Sequence, residues 1–166
     1  GIESFCEFAE LFLRAPIAPG DVLTAVNNGL PAGLEVLSIE EAGTGTPSLG
    51  ASIGGYVYLV DLSPALTLKP EETEERMQEF MKKASVKTWK NRKGKNREQD
   101  LRTPVHLFTR NGPGNALRME MRFLEGGARN PLDIVTHVFG LEEEAARAVR
   151  IVKKEALFSR GEEGHV

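Results

Sequence analysis

The sequence predicts an α+β fold: a ferredoxin-like βαββαβ unit with a mostly antiparallel sheet, preceded by half of a second, similar β-α-β unit. Three observations carry this. Leu117, Met119, Met121 and Phe123 alternate with Arg118, Glu120 and Arg122, a period of two that marks a strand with one buried and one solvated face. Stripes at helical spacing, each opening on a proline suited to a first helical position, fall between strand-like runs rather than in a block. Local turn signals, above all Asn111-Gly112-Pro113-Gly114-Asn115, join neighbouring strands as hairpins.

Taken in order, Ser4 to Leu13 (SFCEFAELFL) is rich in Phe and Leu and reads as a strand. Pro19 opens a helix with Asp21 in its first turn and Val22, Leu23, Val26 and Leu30 on its apolar face; Asn27-Asn28-Gly29 and Pro31 end it. Leu34 to Ile39 reads as a strand buried on much of both faces. Ala42 to Gly50 is small, polar and rich in breakers, which makes it the best boundary in the chain. Gly55 to Leu62 is a strand by its β-branched and aromatic content. Pro70 to Lys83 is a helix with glutamates crowding its start and lysines its end, and with Thr73, Met77, Phe80 and Met81 as its stripe. Val86–Trp89 and Leu101–Thr109 are strand-like, two arms of one long looped hairpin strand if the βαββαβ reading holds. After the alternating strand, Asn130 caps a helix with Pro131 first and Gly140 at its end. Glu142 to Ala148 is short and helical, and Val149 to Phe158 is a closing strand. The expected division is therefore 1–43 for the leading half unit, 44–52 for a linker, 53–159 for the second unit and 160–166 for a disordered tail.

The totals exclude several classes. The single cysteine, Cys6, rules out an intramolecular disulfide and a cysteine-based zinc cluster, and its apolar setting reads as a small buried hydrophobe. No run approaches the about 18 apolar residues of a membrane span, and no signal peptide is visible, so a cytoplasmic protein is expected. The chain opens on Gly1, not Met, and enters a strand-like run at once, so an upstream part is expected to be missing.

Charge is unevenly spread. Lys82 to Arg102 holds nine positive and two negative residues, a local net of +7 in a chain of net −3. Such asymmetry points to an anionic partner, RNA or another polyanion. The candidate binding residues are Trp89, Lys90, Arg92, Lys93, Lys95, Arg97, Asp100 and Arg102. The cations would pair with phosphates, Gly94 would allow a tight turn, and Trp89 could stack on a base. The plainer reading is a solvated hairpin tip whose lysines discourage edge pairing. Asp100 and Arg102, two apart, would share one face of a strand, either orienting a ligand or forming an ion pair that fixes the hairpin.

Other patterns carry less. His106 and His137 have no carboxylate neighbour at ligand spacing and read as structural imidazoles, and His165 lies in the tail. The glycines of AGTGTPSLGASIGG precede a strand and lack a phosphate-loop spacing, so they read as linker. The glutamates at 71, 72, 74, 75 and 79 cover the exposed side of a helix. No catalytic residue, metal site or cofactor is expected within the chain.

GIESFCEFAELFL with APGDVLTAVNNGLPAGLEVLSIEEA, KTWKNRKGKNREQDLR, NGPGNALRMEMRF and the NPLDIVTHVFGLEEEAARAVRIVKKEALF ending together resemble the radical SAM-linked protein family, bacterial domain of unknown function 2344. The resemblance runs from Gly1 to about Ser159, and Asp100-Leu101-Arg102 after the lysines and a glycine is its most specific element. It implies a partner: a separate or fused radical SAM protein with a cobalamin-binding-type domain. It also implies an upstream β-α-β that this chain lacks. The CxxxCxxC motif is absent, so the chain cannot itself hold the iron–sulfur cluster of a radical SAM enzyme. The function expected is an accessory module that binds substrate or RNA through its basic loop. The alternatives are a nucleotide- or RNA-modifying enzyme with Asp100 and Arg102 in its site, or a protein-docking domain.

Overall fold

In the computed structural model, which describes residues 2–92, 95–112, 114–124 and 127–159, the elements run in this order: β1 (Ile2–Ser4), α1 (Pro19–Gly29), α2 (Leu49–Ser52), β2 (Ile53–Asp61), α3 (Pro70–Lys82), β3 (Lys87–Arg92), β4 (Lys95–Asp100), β5 (Val105–Arg110), β6 (Ala116–Arg122), α4 (Pro131–Phe139), α5 (Glu143–Ala148) and β7 (Arg150–Phe158). The tail from 160 lies outside the described residues. The chain forms two compact units, one of Gly1–Glu7 with Ser52–Val166 and one of Phe8–Ala51.

The larger unit is built on a five-stranded sheet in the order β1-β7-β2-β6-β5. Every neighbour pair is antiparallel except β1 with β7. With β1 set aside, the sequence of elements is β2-α3-β5-β6-α4-β7, an α+β arrangement compatible with a ferredoxin-like unit. The period-two run at 117–121 explains the sheet's polarity. Leu117, Met119 and Met121 are buried, register against Val60, Tyr58 and Tyr56, and line the core. Arg118 and Glu120 point the other way and pair with each other at 2.7 Å. Helices α3 and α4 bury into the core side through Met77 and Phe80 and through Ile134, Val135 and Phe139. Phe80 and Phe139 each meet Phe108 edge-on, at 6.4 and 6.3 Å between centroids.

Helix α4 begins and ends where its sequence dictates. The Asn130 carboxamide accepts the Leu132 N–H at 3.0 Å, Pro131 occupies the first turn, and Gly140 takes the left-handed φ of +63° that closes the helix. At Gly55 the sheet needs a missing side chain: a Cβ there would stand 2.1 Å from the Met121 carbonyl oxygen.

Three expected strands differ. Of the run expected over Ser4–Leu13 only Ser4 belongs to the strand Ile2–Ser4; the Phe5 N–H still donates to the Lys153 carbonyl at 2.9 Å, and beyond it the Cys6 N–H turns back to the Ser4 hydroxyl at 3.3 Å. Glu7, just beyond, holds the Lys153 ammonium, which also lies 4.5 Å from the centre of the Tyr56 ring. Cys6 is half-buried, and burial raises its thiol above the ordinary value. In the smaller unit α1 forms as expected, but residues 34–39 form no strand. The Asn27 carboxamide donates to the Val36 carbonyl (3.0 Å) and accepts its N–H (2.8 Å), so a side chain supplies the partners that a neighbouring strand would have offered.

The third difference matters most. Val86–Trp89 and Leu101–Thr109 are not two arms of one strand. The basic stretch forms its own two-stranded sheet, β3 with β4, inserted between α3 and β5. The chain then turns through residues 101–104 before β5 enters the main sheet.

Candidate polyanion-binding hairpin

The hairpin stands on a fixed base. Leu101 is buried, and its N–H donates to the Val86 carbonyl at 2.9 Å, closing the β3–β4 ladder at its root. The Asp100 carboxylate gathers the turn: it accepts the N–H groups of Val86 and Arg102 at 2.9 Å, that of Thr103 at 3.5 Å, and the Thr103 hydroxyl. Burial by itself would raise this carboxyl. The Thr103 hydroxyl and the three amides outweigh burial and hold it down to about 2.

Arg102 does not pair with Asp100. Its Nε and Nη2 donate to the Met81 carbonyl at 3.1 and 3.0 Å, and its Nη1 to the Val105 carbonyl at 2.7 Å. The Met81 carbonyl is in the last turn of α3, where the helix has no N–H left to offer it. The planar guanidinium thus ties α3 to the start of β5. Both residues expected at the hairpin's base are there, but as its masonry. A carboxylate held near 2 and occupied by four donors is a poor proton carrier at neutral pH.

The ladder registers Lys87 with Asp100, Trp89 with Glu98, Lys90 with Arg97, and ends at Arg92 with Lys95. Strand alternation gives the hairpin two faces. On one, Trp89 is 71% exposed, opposite Glu98, which pairs with Lys87 at 2.9 Å and raises that ammonium above its ordinary value. The other face turns to α4: Lys90 pairs with Asp133, and the Gln99 amide donates to the same carboxylate oxygen at 3.3 Å. Arg97 is exposed. Lys93 and Gly94 lie outside the described residues, and Arg92 and Lys95 are described by their backbone alone. In the ladder Trp89 and Lys90 therefore belong to opposite faces, although both border the concavity beside α4.

Between the hairpin and α4 lies a concavity of about 330 Å³. Thr88, Trp89, Lys90, Gln99 and Leu101 border it from the hairpin side, and Leu132, Asp133, Thr136 and His137 from α4. Sequence reasoning missed the helix half of this site. Asp133, Thr136 and His137 recur at helical spacing on the side of α4 away from Ile134 and Val135, which was readable. That a hairpin thirty residues upstream folds across them was not. His106 is exposed, and among the described residues no group of three or more His, Cys, Asp or Glu is placed to hold a metal ion. Among the same residues no helix is long and apolar enough to cross a membrane.

An α+β unit carrying an inserted basic hairpin is the class that fold and site define. The chain belongs to the family described as an uncharacterized protein conserved in bacteria, DUF2344, which matches residues 1–132. The match covers both units as far as the start of α4 and includes the whole hairpin. No curated protein and no solved structure matches the chain.

Proposed function

We propose that the chain is a non-catalytic binding module for single-stranded RNA or a similar polyanion, with the β3–β4 hairpin as its contact element. The observation that carries this is the hairpin itself: a separate two-stranded ladder on a buried base, holding most of a +7 segment and an exposed Trp89 in a chain of net −3. Main-sheet strands bury their apolar residues, whereas this ladder extends charge and one aromatic ring into solvent, the combination that tracks phosphates and stacks bases. Asp100 and Arg102 support the element from beneath and are not part of the contact.

Affinity for an unstructured RNA should fall steeply with salt. Lys93→Ala/Lys95→Ala/Arg97→Ala should lower the slope of log K against log salt by about 2, at about 0.7 for each phosphate contact on a single strand. Absent or salt-independent binding would sink the proposal. On the family resemblance, the module works beside a radical SAM protein with a cobalamin-binding-type domain. Tagged chain purified from cells should carry RNA and that protein with it; recovery of neither counts against the partnership.

A further inference from the structure

The concavity between the hairpin and α4 is not built for phosphate. Lys90, at its rim, is already neutralised by Asp133. What remains is hydrogen-bonding chemistry: the Gln99 carboxamide, the hydroxyls of Thr88 and Thr136 and the His137 ring. Leu101, Leu132 and Trp89 add apolar surface. Its volume, about 330 Å³, falls at the small end of the range in which ligand clefts occur. A flat, uncharged, edge-polar group fits such a lining, and a nucleobase is that group.

We propose that this groove is a nucleoside-binding slot that takes one unstacked base, and that it favours bases carrying an exocyclic amine. The preference follows from Asp133. Both hydrogen bonds it receives from described residues fall on Oδ2, from Lys90 and Gln99, which leaves Oδ1 as an acceptor without a donor among them. A carboxylate oxygen can only accept, so it rewards an amine such as the N4 group of cytosine and repels the O4 carbonyl that uracil carries at the same position. The helix side of the slot is firm, because Ile134, Val135 and Phe139 anchor α4 in the core on its opposite side. That the base arrives as part of a strand rests on the polyanion reading above. The slot itself does not.

The test uses the full chain and nucleosides, which have no phosphate. Adenosine, cytidine and uridine are titrated while amide resonances are followed by NMR. Cytidine should shift the amides of Gln99, Thr136 and His137 saturably, with a dissociation constant at least about tenfold lower than that of uridine, the worth of one hydrogen bond to a charged acceptor. Asp133→Asn should erase the cytidine–uridine difference. Thr136→Met should fill the slot and abolish the shifts, with unchanged Met119 and Met121 methyl resonances showing that the core is intact. No saturable shift with any nucleoside, or equal affinity for cytidine and uridine, would overturn the proposal. Either result stands whether or not the hairpin cations bind RNA, so the two readings fail separately.

Discussion

Removing the Asp100 carboxylate should loosen the hairpin from its base at a measurable cost. Two chain amides donate to it at 2.9 Å, those of Val86 and Arg102, and Val86 is buried. Asp100→Ala leaves both without an acceptor and releases the Thr103 hydroxyl. Side-chain acceptors of this kind are worth about 0.5–2 kcal/mol, and stranded amides cost about 1–3 kcal/mol, so at a half-exposed site about 2 kcal/mol should be lost. Protonation gives an independent figure for the charge alone. The carboxyl is held from 3.8 down to about 2. At about 1.4 kcal/mol per pH unit that is at most about 2.4 kcal/mol, and solvent screening reduces it to about 1 kcal/mol. The folded value is the lower one, so this stability is present above the ordinary carboxylate range and is lost as the pH falls from about 4 to about 2. Asp100→Asn keeps an acceptor oxygen but no charge. It should cost about 1 kcal/mol at pH 7 and lose this acid-dependent step. Urea unfolding at pH 7 and pH 3 measures both, with Trp89 fluorescence reporting the hairpin and far-ultraviolet circular dichroism the rest. An alanine variant within about 0.5 kcal/mol of the parent chain would refute the reasoning. So would one that lost RNA binding at unchanged stability, since that would make Asp100 a ligand group.

Arg102→Lys should lose the forked contact to the Met81 and Val105 carbonyls and lower stability by about 1–2 kcal/mol in urea unfolding, because one ammonium cannot reproduce the planar geometry; parent-like stability would show that the fork is dispensable. Gly55→Ala drives a Cβ into the Met121 carbonyl oxygen and 3.0 Å from the Arg122 Cα, both backbone atoms of the paired strand. It should cost at least about 2 kcal/mol, seen as a lowered Tm, and an unchanged Tm would contradict the close approach. A double-mutant cycle on Lys90→Ala and Asp133→Ala should give a coupling of only about 0.5 kcal/mol, since both side chains remain partly exposed, 44% and 24%; a coupling near zero would mean that the hairpin is not held to α4 through this pair.

The fold was legible where local chemistry and long-range packing agree. Asn130-Pro131 and Gly140 bound α4 in the sequence and in the structure, and the alternation at 117–121 fixes which side of β6 is core. It failed where a side chain replaced a strand. Leu34 to Ile39 has strand-like composition, but the Asn27 carboxamide supplies both partners of Val36, and no periodicity records that. The hairpin's base failed for a related reason. Asp100 and Arg102 look like an ion pair because their charges are visible in the sequence. Their actual partners are backbone amides and carbonyls, which every residue carries and no sequence pattern singles out. The groove beside α4 was out of reach because it depends on how an inserted hairpin folds back across a helix.

The structure also changes what the charge of the basic stretch means. Arg102 is committed to two carbonyls, Lys87 to Glu98 and Lys90 to Asp133. Arg102 and Lys87 stand at the root of the hairpin, and Lys90 lies three steps along the ladder, opposite Arg97. From Lys87↔Asp100 to Arg92↔Lys95 the ladder spans five steps, about 17 Å at the rise of an antiparallel strand. That is about two Debye lengths at physiological ionic strength, so Asp100 at the root does little to cancel cations at the level of Arg92 and Lys95. Three cations of the basic stretch are thus already engaged within the chain. The salt dependence of binding should therefore count the cations of residues 92–97 and not the full excess of +7. A slope well above the number of those cations would place the contact elsewhere on the chain.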